Sequence, residues 1–383
     1  MRHLSVPCKE TSLWIQKLRG LGWLANSVSV TKLNEFERAI PLSDETPDIL
    51  PALFKHLSII ELEISSSKNK HYIDNLEEIL GKEIVQKYDV FWPKSYDQIG
   101  DLIIFKLNKE VQVYSGEIST AMLERNPKSR IVLLDGGVTG IYRIRKLTPL
   151  VFRDSEAQKI QKARADISTK TVVKENGFEI IVDPQKAYYS PRLSNERMGT
   201  LDTAINLAKK LERPLNIIDP YAGAGPSIIP LICEKGLVNK IYASDINPQA
   251  VNLLKENIEK HTKKKFNQDD EIEDYAKIEV VDARTLSKQN TLFGKFDMIL
   301  VNIPHSSLEH LHNLFSLLSF DKVSLIRGWA LINDTETTKF KAEINQQIRD
   351  FNNELDTKII IERLKSYSVD SIFVRFEIYF ESN

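Results

Sequence analysis

Cysteine is scarce in this chain. Of 383 residues only Cys8 and Cys233 carry a thiol, at no spacing that suits a metal or a framework of bridges, so both read as buried free thiols and no metal site is expected. Charge of one sign is also lacking. Lys and Arg number 52 against 53 Asp and Glu, which excludes a histone-like coat on nucleic acid but leaves room for a local basic patch. No long hydrophobic run occurs. The most apolar stretch is broken by Asp219, Pro220 and Pro226, far short of the ~20 residues of a membrane helix. The opening MRHLSVPCKET has no apolar h-region, so no signal peptide is expected, and a soluble cytoplasmic protein is the default. What remains, 42% hydrophobic and 27% charged residues, is the composition of a globular chain. At roughly 100–200 residues per domain the length predicts two or three domains.

The first 45 residues read as one small unit. Leu13, Trp14, Ile15, Leu18 and Leu21 give an amphipathic helix ended by Gly20 and Gly22, with strand-like pieces following through RAIPL at 38–42. The acidic, turn-rich SDETPDILP at 43–51 reads as a linker. A second block spans about 55–195, with strands expected at 102–105, 131–134 and 178–183. Within it, residues 143–174 hold nine basic side chains and three acidic ones, a net +6. Such a window is either a solvated helix face around 154–165 or a seat for a phosphate backbone.

From about residue 200, strands alternate with helices. Strands are expected at 215–219, 240–245, 277–282 and 296–302, with helices at 201–212, from Pro226, through His261 and at 306–319. This is the pattern of a parallel, doubly wound α/β sheet. The tail adds two strands, 359–368 and 371–380, close enough to pair antiparallel. A parallel sheet closed by such a hairpin is the shape of class I methyltransferases. The charged stretch 261–275 reads as an insertion without assigned function.

Candidate site residues fall at the strand ends. DPYAGAGP at 219–226 ends a strand and opens a helix, and Gly223 and Gly225 let the backbone turn tightly beside a ligand. A dinucleotide fingerprint wants a third glycine where Ile228 stands, and no GxxxxGK[ST] occurs, so phosphate cradling is disfavoured. Asp219 would repel a diphosphate and suits a cationic ligand. Asp245, closing the next strand, can accept both ribose hydroxyls of an adenosine, and Asp282-Ala283, closing the third, can take the adenine amine. Each alone is an ordinary turn or cap residue. Together they point to S-adenosyl-L-methionine. Asn302-Ile303-Pro304-His305 ends the fourth strand, where Asn302 can hold a base edge by its amide and His305 stands where amino-group methyltransferases usually carry an aromatic residue.

DPYAGAGP, SDINPQAVNLLKENI at 244–258, VDAR at 281–284 and NIPHSSLEHL at 302–311 resemble the tRNA (guanine-37-N1)-methyltransferases of archaea and eukaryotes. YYSPRLSNER at 188–197 is the most specific match, with KENG at 174–177, KSYS at 365–368 and the N-terminal VPCKETSLWIQKLRGLGWL also fitting. The resemblance implies an α/β, Rossmann-like class I methyltransferase domain at 196–383. Before it come two smaller α+β domains, one at 1–45 that recognises the tRNA elbow and one at 55–195 that clasps the anticodon arm. It implies a monomer that binds tRNA and no membrane. Glu196 matches the family's general base, Arg143 its catalytic arginine, and Asn302 and Pro304 the motif that shapes the guanine pocket. Arg197, Asp245, Ile246, Asp282, Ala283 and Asn302 match positions that contact the cofactor, and Tyr221 packs beside it. Ile141 replaces the usual glutamate before Tyr142-Arg143, which leaves the choice between Arg143 and Arg145 open. The stretch from Arg143 to Glu196 is lengthened by an insertion around 154–168, and Ile303 replaces the usual leucine.

The chemistry suits these residue types. N1 of guanine carries a proton, which a carboxylate can accept, and a guanidinium can stabilise the charge that moves to O6. The base must be splayed out of the anticodon loop to react. For Glu196 the plain alternative is a capping or salt-bridge partner of Arg192 or Arg197. Three rivals remain: the related aminocarboxypropyl transferase of wybutosine synthesis, a catalytically silent RNA-binding relative, and a protein or small-molecule methyltransferase.

Overall fold

The N-terminal portion builds a small antiparallel sheet. Strands β1 (Arg2–Pro7), β2 (Thr31–Lys32), β3 (Glu37–Pro41) and β4 (Ser58–Glu61) pair in the order β2-β3-β1-β4. Helix α1 (Thr11–Gly20) covers one face. Trp14 and Leu18 from the helix meet Leu4 and Val6 from β1, Ile40 and Phe54 in one apolar cluster, with the Trp14 and Phe54 rings 5.1 Å apart. Burying this set is what makes so small a sheet stable. Residues 58–61, which the sequence groups with the second block, belong to this sheet because β4 pairs with β1 from Ser5↔Ser58 to Arg2↔Glu61. Helices α2 (Tyr72–Leu80) and α3 (Lys82–Lys87) follow. The computed structural model describes all residues except 26–29, 35, 48–49, 55, 63–71, 155–158, 274, 368–369 and 382–383, so parts of the 43–51 linker, the 154–168 insertion and KSYS lie outside the described residues.

The chain divides into two compact units, Met1–Asp89 and Val90–Asn383. The second begins with a five-stranded sheet, ordered by sequence: β5 (Asp97–Ile99), β6 (Leu102–Phe105), β7 (Ile131–Thr139), β8 (Ile144–Arg153) and β9 (Ile160–Lys162). Helix α4 (Ser115–Arg125) joins the parallel pair β6 and β7. Against the alternative of a helix face around 154–165, residues 160–162 form strand β9, paired antiparallel with β8, while 155–158 lie outside the described residues. Residues β10 (Thr171–Glu175) and β11 (Phe178–Val182) form a hairpin around Asn176-Gly177. Both turn residues have positive φ, +51° and +88°, as a two-residue hairpin loop of this hand requires. Val173, Ile180 and Val182 of the hairpin share one core with Ile104 and Leu133 of the sheet and with Ala224, Ala250 and Leu253 further on.

The rest is the expected alternation. Helix α5 (Ser194–Leu211) leads into β12 (Leu215–Asp219), then α6 (Ile228–Cys233), β13 (Val238–Asp245), α7 (Pro248–Thr262), β14 (Glu271–Ile272) and β15 (Ala276–Val280). After these come β16 (Met298–Val301), α8 (Ser307–Leu311), β17 (Val323–Asn333), α9 (Thr337–Phe351), β18 (Asp356–Ser366) and β19 (Ser371–Glu381). The eight strands are ordered β14-β15-β13-β12-β16-β17-β19-β18. The sheet therefore starts at its centre with β12, grows to one side through β13 and β15, and resumes on the other with β16 and β17. Those five strands are parallel, and β19 runs antiparallel between β17 and β18. A switch point of this kind opens a crevice at the carboxyl ends of β12 and its neighbours.

Two expectations need correction. The helix expected at 306–319 stops at Leu311, followed by a tight turn at Phe315–Leu317. Leu311, Leu314, Phe315 and Leu318 are buried at i, i+3, i+4 and i+7, the spacing of one helical stripe, so the apolar period does not mark the break. The two thiols are not buried: Cys8 is half-exposed, and Cys233 ends α6 at the surface with Sγ 3.5 Å from His261 Nδ1.

Candidate active site

The glycine loop after β12 is held by its neighbour strand. Ala222 N–H donates to Ser244 O at 2.9 Å. Gly223 N–H donates to Asp245 Oδ2 at 2.9 Å, and Asn247 N–H to Asp245 Oδ1 at 2.9 Å. Asp245 thus clamps the loop while lone pairs on both oxygens remain for a ligand. Gly223 and Gly225 have φ of +56° and +85°. A Cβ on Gly225 would come 2.6 Å from Leu254 Cδ1 on α7, whereas one on Gly223 would meet nothing within 4 Å. Gly225 is needed for close helix packing, and Gly223 leaves open space beside the clamp.

Asp219 is 1% exposed. Its Oδ1 accepts the Tyr221 N–H at 3.0 Å, and its Oδ2 has no partner. Burial, with a smaller push from Asp245, raises its carboxyl to about 7. Burial also raises the Asp245 carboxyl, against the two N–H donors that favour its charge. Two acids in so dry a place call for a cationic or hydroxyl-rich ligand. Asp282 differs: it is held by Arg284 at 2.5 Å, which lowers its carboxyl, and it caps the turn at Ala283–Lys288. Ala283 is buried beneath it and Ile246 is half-buried beside Asp245. Tyr221 is half-buried, with its hydroxyl 3.0 Å from His310 Nδ1.

At the end of β16, Asn302 is half-exposed, and Pro304 O accepts the Leu331 N–H at 2.8 Å. His305 meets the Tyr367 ring edge-on, centroids 6.2 Å apart. Partial burial and the charge of Arg143 lower the His305 imidazole, so Arg143 lies within electrostatic reach of this loop. Arg143 stands exposed at the β7–β8 turn with φ +53°, next to the 76%-exposed Ile141. Arg145, the alternative, is tied to Asp97 at 3.0 Å and Asp135 at 2.8 Å. Of the nine basic residues at 143–174, Arg145, Arg164, Lys170 and Lys174 face carboxylates. The window is therefore less of a free positive seat than its net charge suggests.

Glu196 lies in the first turn of α5. Its partners are neither Arg192, which reaches Asp97, nor Arg197. Instead Glu196 Oε2 accepts from Trp329 Nε1 at 3.2 Å and from Arg375 at 3.4 Å, with Arg327 4.0 Å away. Trp329 follows Gly328, which is in register with Val301, so it stands level with Asn302 on the adjacent strand. Glu196 is thus bonded to the strand next to β16, by the residue that follows Gly328. Arg197 turns the other way. It is 3% exposed, bonds Glu175 at 2.5 Å and Ser190 O at 2.8 Å, lies over the Tyr189 ring, and retains an unpartnered Nε. Arg197 thereby ties the β10–β11 hairpin to α5. Trp329, Arg375 and Arg327 are absent from the sequence-based site, because no local motif marks them.

The strand order, the glycine loop and the clamped acid after it define a class I methyltransferase fold. The family model of the TRM5/TYW2 methyltransferase domain matches residues 171–359, and that of the TYW2 N-terminal domain matches residues 76–151. The chain carries a TRM5/TYW2 methyltransferase domain. Among similar proteins is the tRNA (guanine(37)-N(1))-methyltransferase Trm5b of Pyrococcus abyssi, 29% identical over 313 residues, which cover 80% of this chain and 78% of that one. The crystal structure of wild-type Trm5b from the same organism superposes with a TM-score of 0.62 at 22% identity, covering all of both chains. That of Pyrococcus horikoshii TYW2 in complex with MeSAdo gives 0.59 at 19% identity, covering 81% of this chain and 99% of the other. Among the described residues no helix is long and apolar enough to cross a membrane.

Proposed function

We propose that this protein transfers a methyl group from S-adenosylmethionine to N1 of guanine 37 in tRNA. The observation that supports the reading is the pairing of Glu196 with Trp329, the residue after the Gly328 that is in register with Val301, just before Asn302. The cofactor suits the residues after β12 and β13. Asp245 offers both oxygens to ribose hydroxyls, Asp219 provides the unpartnered carboxylate a cationic ligand favours, and Gly223 leaves room. Asp282 takes the adenine amine in competition with Arg284. Bound there, the cofactor supplies an electrophilic methyl group on a sulfonium.

The protein's own groups do the remaining work. Asn302 and the Pro304 turn hold the base edge, Glu196 accepts the N1 proton, and Arg143 stabilises charge on O6. The commitment of Arg145 to Asp97 and Asp135 favours Arg143 for that part. Residues 1–45 recognise the tRNA elbow and residues 55–195 clasp the anticodon arm, in a cytoplasmic monomer.

A second reading, aminocarboxypropyl transfer from the same cofactor, is favoured by the match of residues 76–151 to the TYW2 N-terminal domain. Incubation with labelled S-adenosylmethionine and, in parallel, unmodified G37 tRNA or a wybutosine-precursor tRNA, followed by nucleoside mass spectrometry, separates the two. Methyl transfer yields N1-methylguanosine that disappears when G37 is changed. The rival yields a heavier adduct, and only on a wybutosine-precursor tRNA.

A further inference from the structure

Glu196 is gripped by one oxygen only. Trp329 Nε1 at 3.2 Å and Arg375 at 3.4 Å both address Oε2, and among the described residues no hydrogen bond reaches Oε1. These two donors come from adjacent strands, since Trp329 on β17 is in register with Arg375 on β19. Behind them Arg327 is 1% exposed and fixed by Thr200 Oγ1 and Thr203 Oγ1, each at 3.1 Å, and by Glu377. Its Nη2 is buried without a hydrogen-bond partner, 4.0 Å from Glu196 Oε2. Arg375 is in turn steadied by Glu362.

We propose that Trp329 and Arg375 are positioning residues, which hold Glu196 by Oε2 and so present Oε1 alone to the N1–H of the target base. This rests on the functional reading above. In the step it serves, the N1–H bond breaks and its proton goes to Oε1. The electron pair left on the base forms the new N–C bond, and the C–S pair leaves with the sulfur. An unrestrained glutamate samples several rotamers, and a misplacement of about 1 Å can cost on the order of 100-fold in rate. An anchor on one oxygen removes that freedom without consuming the basic atom. Arg327, buried one layer deeper, keeps positive charge beside the anchored oxygen. The bland alternative is that Trp329 and Arg375 merely stitch α5 to the sheet.

The test uses the full chain with Trp329→Phe, which keeps an aromatic ring but removes the donor, and with Arg375→Lys and Arg375→Gln. The proposal expects Trp329→Phe and Arg375→Gln to lower kcat for G37 methylation on the order of tenfold, within what general-base positioning is worth. KM for tRNA and for the cofactor should stay within about twofold, and Arg375→Lys should recover part of the loss. Unchanged kcat, or equal losses in kcat and both KM values, overturns it. An independent readout uses the four tryptophans. With 15N-labelled indoles, the Trp329 Nε1–H signal, assigned by its loss in Trp329→Phe, should move in Glu196→Gln while the other three stay in place. A Trp329 signal indifferent to Glu196→Gln overturns the proposal whatever reaction the protein performs. A wild type that makes no N1-methylguanosine sinks the functional reading instead, and the indole signal still decides the anchoring.

Discussion

Trp329 donates its indole N–H to Glu196 Oε2 at 3.2 Å, joining the start of α5 to β17 across 133 residues of sequence. The bond connects the two halves of the site. Glu196 precedes the parallel sheet in the chain, and Trp329 stands beside the Asn302 loop at its far side. Replacement of Glu196 should therefore strike chemistry and spare binding. Glu196→Ala is expected to lower the single-turnover methylation rate by about 10²–10⁴, the worth of a positioned general base. Cofactor affinity, read by calorimetry, should be unchanged.

Asp245 holds the loop and, in the proposed function, the ligand. Asp245→Ala removes the acceptor of the Gly223 and Asn247 N–H groups together with the one meant for ribose. Lost hydrogen bonds to a charged group are worth about 1.5–3 kcal/mol. Cofactor binding should therefore weaken by roughly 10- to 100-fold in a calorimetric titration. Undiminished affinity would remove Asp245 from the site.

Arg143 and Arg145 should separate cleanly. Arg145→Ala leaves Asp135, whose side chain is 4% exposed, without its cation, and should cost about 3 kcal/mol in a urea melt. Arg143→Ala, at an exposed turn, should leave the melt unchanged and lower kcat. The reverse pattern would move the O6-stabilising role to Arg145.

Asp219 makes the ligand-free protein sensitive to pH. Its folded carboxyl stands at about 7, above the ordinary value of 3.8. Between those values the folded state holds a proton that the unfolded state has released, so stability falls as pH rises and the loss is complete above about 7. The cost is on the order of 4 kcal/mol. Asp219→Asn should therefore flatten the decline of urea stability between pH 5 and pH 8, with little effect at pH 4. A variant that melts in parallel with the wild type at every pH would contradict this.

What was legible in the sequence follows from distance along the chain. Gly223, Asp245 and Asp282 stand at strand ends, and a parallel sheet gathers its strand ends in one crevice, so period and punctuation suffice to find them. The Glu196 segment lies at the start of a helix whose expected span begins only at 201, because residues 194–200 are mostly polar and start no apolar period. Trp329 and Arg375 leave no local trace: their contacts with Glu196 span 133 and 179 residues. Strand β17 and helix α9 carry no motif either, and VSLIRGWALIN is buried along almost its whole length without an alternating pattern. The exposure of Cys233 was missed for a related reason, since six residues of helix α6 do not reveal which way its last one faces.

The most direct measurement is nucleoside mass spectrometry of unmodified G37 tRNA after incubation with the wild-type protein and S-adenosylmethionine, beside Glu196→Ala. The account predicts N1-methylguanosine at position 37 from the wild type and a loss of about 10²-fold or more in rate from the variant. No N1-methylguanosine from the wild type, with an aminocarboxypropyl adduct on a wybutosine-precursor tRNA run in parallel, or equal methylation by both proteins, would contradict it.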